Sequence, residues 1–242
     1  MAELTHTPDI VSRAVLFCSI PHVSLVEYAG SRGFKGVVID DEKFHVSPET
    51  ASLLCLAAEK WGLEALMRLR VASNERVEYA LTLGITGVLL PRLIAVEQVE
   101  ELVAATRFPP RGTGGLGSSR ATIFGARVES KAADPDVQVI IETPELLEKV
   151  REVASVDGVT GIDIGLLDLT SSLGLPKDVS DPATRSVILR VIEDAHAAGK
   201  PVCMSMPDVA TATEWLELGL DTFVLEPFAL LGQALALQPA LT

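Results

Sequence analysis

Basic residues are in short supply in this chain of 242 residues. Twenty Lys and Arg face 33 Asp and Glu, for a formal net charge of −13. A duplex-binding face needs a basic patch, and anionic membranes attract basic segments, so neither nucleic acid nor membrane is expected as a partner. Cysteine is scarce too. Cys18, Cys55 and Cys203 lack the spacing of a metal site, a redox pair or a disulfide framework, which suits a reducing compartment. No stretch reaches the roughly 18 apolar residues of a membrane span. The nearest, Phe223–Thr242, is interrupted by Glu226, Pro227 and Pro239. Met1–Asp9 is polar, without the apolar centre of a secretory signal. A soluble, cytoplasmic protein is expected, and 48% hydrophobic residues give it material for a sizeable core.

What the chain does have is alternation. Short β-branched runs at Ala14–Cys18, Gly36–Asp40, Glu64–Leu69, Gly87–Pro91, Val137–Glu142, Gly161–Gly165, Pro201–Ser205 and Thr222–Glu226 read as strands. Helical periodicity lies between most of them. Val77, Ala80 and Leu81 share a face in Asn74–Leu83, as do Val187, Val191, Ile192 and Ala195 in Pro182–Ala198. Ser47-Pro48 and Asp181-Pro182 mark helix starts, and Gly84, Gly199 and Gly219 mark stops. Eight strand–helix units predict an α/β fold, a single (β/α)8 barrel over residues 1–242. A doubly wound sheet is the alternative, but no split point is visible. The Gly- and Pro-rich stretch Phe108–Asp136 reads as one long loop. Its Gly112-x-Gly114-x-x-Gly117 neither follows a strand nor opens a helix, which excludes a dinucleotide site.

Barrel active sites sit at the carboxyl ends of the strands. That rule selects Asp40, Glu42 and Lys43, then Arg68 and Arg70, then Arg92, Glu142, Asp168, Ser205 and Glu226. Glu142 and Asp168 come from neighbouring strands. Two converging carboxylates suit a hard divalent cation, unless Asp168 merely caps a helix and Glu142 pairs with an arginine. Arg68 and Arg70 share a strand face. One of them could grip a substrate carboxylate, or form a structural ion pair with Asp40 or Glu42. Of four histidines, His22 and His45 lie near strand ends, His196 reads as structural, and His6 falls in a tail.

Six segments in order carry a resemblance: Gly33-Phe-Lys-Gly-Val-Val-Ile-Asp-Asp-Glu-Lys43, Met67-Arg-Leu-Arg, Gly87-Val-Leu-Leu-Pro, Pro109-Pro-Arg-Gly, Ile141-Glu-Thr and Ile164-Gly-Leu-Leu-Asp-Leu-Thr-Ser-Ser-Leu-Gly. Together they resemble the class II 2-oxo-acid aldolases of the 4-hydroxy-2-oxoheptanedioate aldolase and macrophomate synthase type, a branch of the aldolase/citrate lyase superfamily. The resemblance spans nearly the whole chain. It implies a (β/α)8 barrel with a divalent ion, Mg²⁺ first and Mn²⁺ or Co²⁺ next, on Glu142 and Asp168. It further implies a 2-oxo acid substrate whose carboxylate meets the backbone amides of Leu167 and Asp168, with Arg68 stabilising the enolate.

The sequence departs from that pattern at Arg70, where the family has a proline, and in the residues that move protons. The family strand end reads Asp-Gly-Glu-His, with the His moving protons; here it reads Asp40-Asp41-Glu42-Lys43. The acidic partner of that His aligns with Thr82. Lys43 and His45 are thus the candidates for the altered proton-transfer role. The expected activity is carbon–carbon cleavage of a 2-oxo acid through a pyruvate-like enolate. Decarboxylation of an oxaloacetate-like acid, or a silent metabolite-binding homologue, are the alternatives. The uncharged, apolar segment Pro227–Leu241 points to a carboxyl-terminal helix packed on or exchanged with a neighbour, giving a homo-oligomer from dimer to hexamer.

Overall fold

The computed structural model describes residues 8–115, 117–126 and 134–235. Eight strands close into a barrel in sequence order. They are β1 (Ala14–Phe17), β2 (Gly36–Asp40), β3 (Glu64–Arg68), β4 (Gly87–Leu90), β5 (Asp136–Ile141), β6 (Gly161–Ile164), β7 (Val202–Met206) and β8 (Thr222–Leu225). Every neighbouring pair is parallel. The helices are α1 (Pro8–Val11), α2 (Val23–Ser31), α3 (Pro48–Trp61), α4 (Asn74–Thr82), α5 (Val96–Ala105), α6 (Pro144–Leu147), α7 (Val150–Ser155), α8 (Leu166–Leu173), α9 (Pro182–Ala197), α10 (Val209–Glu217) and α11 (Pro227–Ala234).

Each strand is buried on both faces, which is why the strands read as nearly continuous apolar runs. Val15, Val38, Leu66, Leu89, Ile140, Cys203 and Val224 fill the barrel interior. Ile39, Met67, Leu90, Ile141 and Ile164 face outward, in a core shared with Val26, Leu54, Val77, Val99, Ile188 and Trp215 of the helices. The start signals act as expected. Ser47 accepts from the Thr50 amide at 3.2 Å, and Asp181 accepts from the Ala183 and Thr184 amides at 2.9 and 3.1 Å. Gly84 follows α4 with φ +90°, the left-handed stop a side chain would resist.

Several boundaries differ from the sequence expectation. Asp136 opens β5 instead of ending a loop, and Glu142 stands just beyond that strand. β7 starts at Val202, because Pro201 has no N–H for the ladder; its carbonyl instead accepts from Ile162 at 3.0 Å. The helical run after β5 divides into α6 and α7. The long loop carries a short 3₁₀ turn at Arg120–Thr122 and is tied down by Arg111–Asp134 (2.7 Å) and Arg120–Glu59 (2.5 Å). His196 bonds Asp221 at 2.8 Å, a structural role. In α11 no residue is buried, and Phe228, Leu231 and the following Leu235 are exposed. Residues 236–241 of the expected terminal helix lie outside the described residues, as does His6.

The seam between β1 and β8 is fastened at both ends. At the amino-terminal end Arg13 donates to the carbonyls of Asp221 (2.8 Å) and Leu220 (3.3 Å). At the carboxyl-terminal end the Ser19 hydroxyl bonds the Glu226 carboxylate.

Candidate active site

Strand alternation decides which side chains line the mouth. Asp40 and Arg68 are register partners at the ends of β2 and β3, so their side chains project inward side by side. Arg68 grips Asp40 with a two-point fork, Nε to Oδ1 at 2.8 Å and Nη2 to Oδ2 at 2.9 Å. The same carboxylate accepts the amides of Glu42 (3.0 Å) and Lys43 (3.3 Å), folding the Asp-Asp-Glu-Lys turn over itself. Asp40 thus fixes both the guanidinium and the loop, which explains a fully buried carboxylate at a strand end. Arg68 also lies 4.9 Å over the Phe17 ring. Burial works against its charge, but Asp40, Glu42 and Asp163 outweigh burial and hold the guanidinium above its ordinary range.

Glu42 is buried and meets three cations. Arg68 Nη1 lies 3.2 Å from Oε2, Lys43 Nζ lies 3.1 Å from Oε1, and the Arg92 guanidinium bonds Oε1. Arg70 is drawn aside: its Nη2 pairs with Asp41 at 3.0 Å and its Nε donates to the Asp41 carbonyl. Of the two arginines, Arg68 therefore belongs to the mouth. The exposed His45 ring meets the Asp41 carbonyl at 3.3 Å, outside the Arg68–Glu42 network.

Glu142 rises on the far side of the mouth. Its Oε1 accepts from the Arg92 amide at 2.5 Å. Its other oxygen leans across Gly165, where a Cβ would stand 3.0 Å from Oε2 and 2.7 Å from the Glu142 Cβ. A residue with a side chain at 165 would push the carboxylate away. Burial raises the Glu142 pKa; the Arg92 amide lowers it, and Asp168 and Glu42 raise it again. Asp168 sits in the first turn of α8, exposed and without a hydrogen bond or ion pair among the described residues. Gly165, the N-cap of α8, has no side chain to cap it, so the first amides of the helix are open toward the mouth.

Two mutually repelling carboxylates, one buried and one unpaired among the described residues, fit a divalent cation that would offset both charges. Among the described residues no group of three or more His, Cys, Asp or Glu converges on a metal position, so water and substrate oxygens would fill the rest of the shell. The open α8 amides beside them suit a carboxylate.

One residue of the mouth, Asp163, escaped the sequence reading, and so did the contacts of Arg92. Arg92 was visible only as a polar residue after a strand, and its double contact with Glu42 and Glu142 was not. Asp163 is buried inside the barrel between Ile140 and Cys203, and its Oδ1 has no hydrogen-bond partner among the described residues. An acid inside the apolar run Gly-Ile-Asp-Ile was the signal that could have exposed it. Burial, with Arg68 opposing and Glu142 reinforcing, pushes its carboxyl up to about 7.

Residues 13–222 match the family described as HpcH/HpaI aldolase/citrate lyase. The chain belongs to that family. It is 31% identical over 206 residues to the 2-keto-3-deoxy-L-rhamnonate aldolase of Klebsiella pneumoniae, covering 81% of this chain and 76% of the relative. To the hydroxypyruvate/pyruvate aldolase of Cupriavidus necator it is 30% identical over 216 residues, covering 86% and 79%. The crystal structure of a family member from Burkholderia cenocepacia superimposes with a TM-score of 0.85 at 25% identity, covering 92% and 91%. This aldolase-family chain is an enzyme of the aldolase/lyase class. Among its described residues no helix is long and apolar enough to cross a membrane.

Proposed function

We propose that this family member is a divalent-metal-dependent carbon–carbon lyase acting on a 2-oxo acid through a pyruvate-type enolate. One observation carries the reading: Glu142, Asp168 (unpaired among the described residues), the Arg68 guanidinium and the uncapped amino end of α8 face one mouth. Glu142 and Asp168 would hold the ion, most readily Mg²⁺, with Mn²⁺ or Co²⁺ as substitutes; when bound it supplies a Lewis acid toward the keto oxygen. The amides of Leu167 and Asp168 receive the substrate carboxylate, where the helix dipole favours negative charge. Arg68, locked by Asp40, presents a fixed positive charge to the oxygen on which the enolate charge develops. Asp40 already holds that charge in place, so little reorganisation accompanies the step.

Lys43 and His45 are the proton-transfer candidates. Lys43 pairs with Glu42 at 3.1 Å, and its ammonium carries donors but no acceptor. That observation favours decarboxylation of an oxaloacetate-like acid as a second reading, because its enolate needs only a proton donor. The three cysteines are free and buried, consistent with a reducing cytoplasm. The exposed apolar residues of α11 fit a homo-oligomer in which that helix packs on a second copy. The decisive experiment follows deuterium exchange at C3 of pyruvate by NMR, with Mg²⁺, with Mn²⁺ and with excess chelator. Exchange that needs metal is expected. No exchange with any divalent ion would overturn the reading.

A further inference from the structure

We propose that Asp163 is the catalytic group that carries a proton to and from C3 of the bound 2-oxo acid. The inference rests on the lyase reading and adds to it the residue that works at carbon. Asp163 stands on β6 in register with Ile140 of β5 and Cys203 of β7. Both of those side chains fill the barrel interior, so Asp163 also points inward.

Among the described carboxylates of the mouth, Asp163 alone has an oxygen left to use. Asp40 accepts twice from Arg68 and once each from the Glu42 and Lys43 amides. Glu42 meets Arg68, Lys43 and Arg92, and Asp41 pairs with Arg70. Glu226 bonds Ser19 and the Ala229 amide. Glu142 and Asp168 are the ligands assigned to the ion. Asp163 is only 9% exposed, yet its Oδ1 has no hydrogen-bond partner among the described residues. A buried orphan oxygen calls for a reason, and proton transfer supplies one.

The charged groups that act on Asp163 are Arg68 of β3 and Glu142 beyond β5, and the Cys203 thiol beside it on β7 is kept protonated by burial and by Asp163 itself. Burial and Glu142 favour the acid and Arg68 favours the carboxylate, a balance near 7 that leaves both forms available at neutral pH. Position completes the case. In the lyase reading the substrate carboxylate lies on the α8 amides after β6, and its keto oxygen faces Arg68 at the end of β3. Those strands stand three apart in a ring of eight, so the substrate crosses the barrel axis, with Asp163 on the interior side of that span. The Asp163 carboxylate takes a proton from C3. The electron pair of that C–H bond becomes the C2–C3 double bond of the enolate, and the charge passes to the keto oxygen beside Arg68. In reverse, the carboxyl returns a proton to C3 from the interior face. Its residual exposure lets the proton exchange with solvent between the two steps.

The test is Asp163→Asn, which keeps the shape and removes the base. Deuterium uptake into pyruvate should fall at least about a hundredfold. Mn²⁺ affinity, read from the free-ion EPR signal, should stay close to that of the wild type, whereas a residue that only orients a metal ligand would weaken the ion about 10–100-fold. A second readout needs no variant. One acid on one face exchanges one C3 hydrogen of 2-oxobutanoate, so the wild-type reaction should halt at the monodeuterated species. Wild-type exchange of both hydrogens at equal rates would overturn the proposal. So would pyruvate exchange that survives Asp163→Asn, or a parallel loss of exchange and Mn²⁺ affinity. Absence of pyruvate exchange in wild-type protein is a separate outcome, which removes the lyase reading and this inference with it.

Discussion

Removing the Arg68 guanidinium separates what it does for the fold from what it does for chemistry. In Arg68→Leu the Asp40 carboxylate, fully buried, loses its two-point partner at 2.8 and 2.9 Å. Breaking a buried pair from one side costs about 3–5 kcal/mol. The Glu42 and Lys43 amides still solvate Asp40, and Glu42 keeps Lys43 and Arg92, so the lower end, about 3 kcal/mol, is expected. Losing a donor aimed at a developing oxyanion costs about 10²–10³ in rate. The double variant Arg68→Leu/Asp40→Asn removes the stranded charge while keeping the shape of the acceptor. Urea midpoints should therefore fall in the single variant and recover most of the way in the double. Pyruvate exchange should stay depressed in both. A single variant as stable as wild type would refute the buried-pair argument. A double variant with wild-type exchange would show that Arg68 has no chemical role.

Other consequences are as direct. Glu142→Gln and Asp168→Asn should each weaken Mn²⁺ binding, read from the free-ion EPR signal, and lower exchange by about two orders of magnitude or more; unchanged binding in both would remove the metal assignment. Asp163 has a folded pKa raised to about 7 from 3.8, so its contribution to stability is complete below the unfolded value and is lost as pH rises through about 7. Metal-free Asp163→Asn should accordingly be the more stable protein at pH 8, with a flatter urea midpoint between about pH 5 and 8; identical slopes would clear Asp163 as the source. Light scattering at micromolar concentration should find an oligomer, and deletion after Gly232 should shift it toward monomer; a full-length monomer would contradict the role given to α11.

The barrel was legible because each strand is apolar on both faces and several helices announce themselves with Ser47, Asp181 and Gly84. Glu142 and Asp168 were legible because strand ends in a barrel define one face. The network joining them was not. Glu42 as the meeting point of Arg68, Lys43 and Arg92 depends on the barrel bringing residues from β2, β3 and β4 within 4 Å, and spacing along the chain does not encode that. Alternation put Arg68 and Arg70 on one face, yet Asp41 draws Arg70 away, a choice made by side-chain partners after the strand has ended. The slip at β7 came from reading Pro201 as an apolar strand residue when its missing N–H excludes it from the ladder.

The β1–β8 seam imposes an order on synthesis. Arg13 and its acceptor Asp221 are separated by 208 positions, so the first strand waits for its final neighbour until almost the whole chain has left the ribosome. At about 5–20 residues per second that wait lasts roughly 10–40 seconds. Throughout it β1 is an open edge with unpaired backbone groups, joined at the end by β7, and the interior lacks Val224. The nascent protein is thus most vulnerable to aggregation just before completion. Ribosome stalling ahead of Thr222 prolongs that exposure.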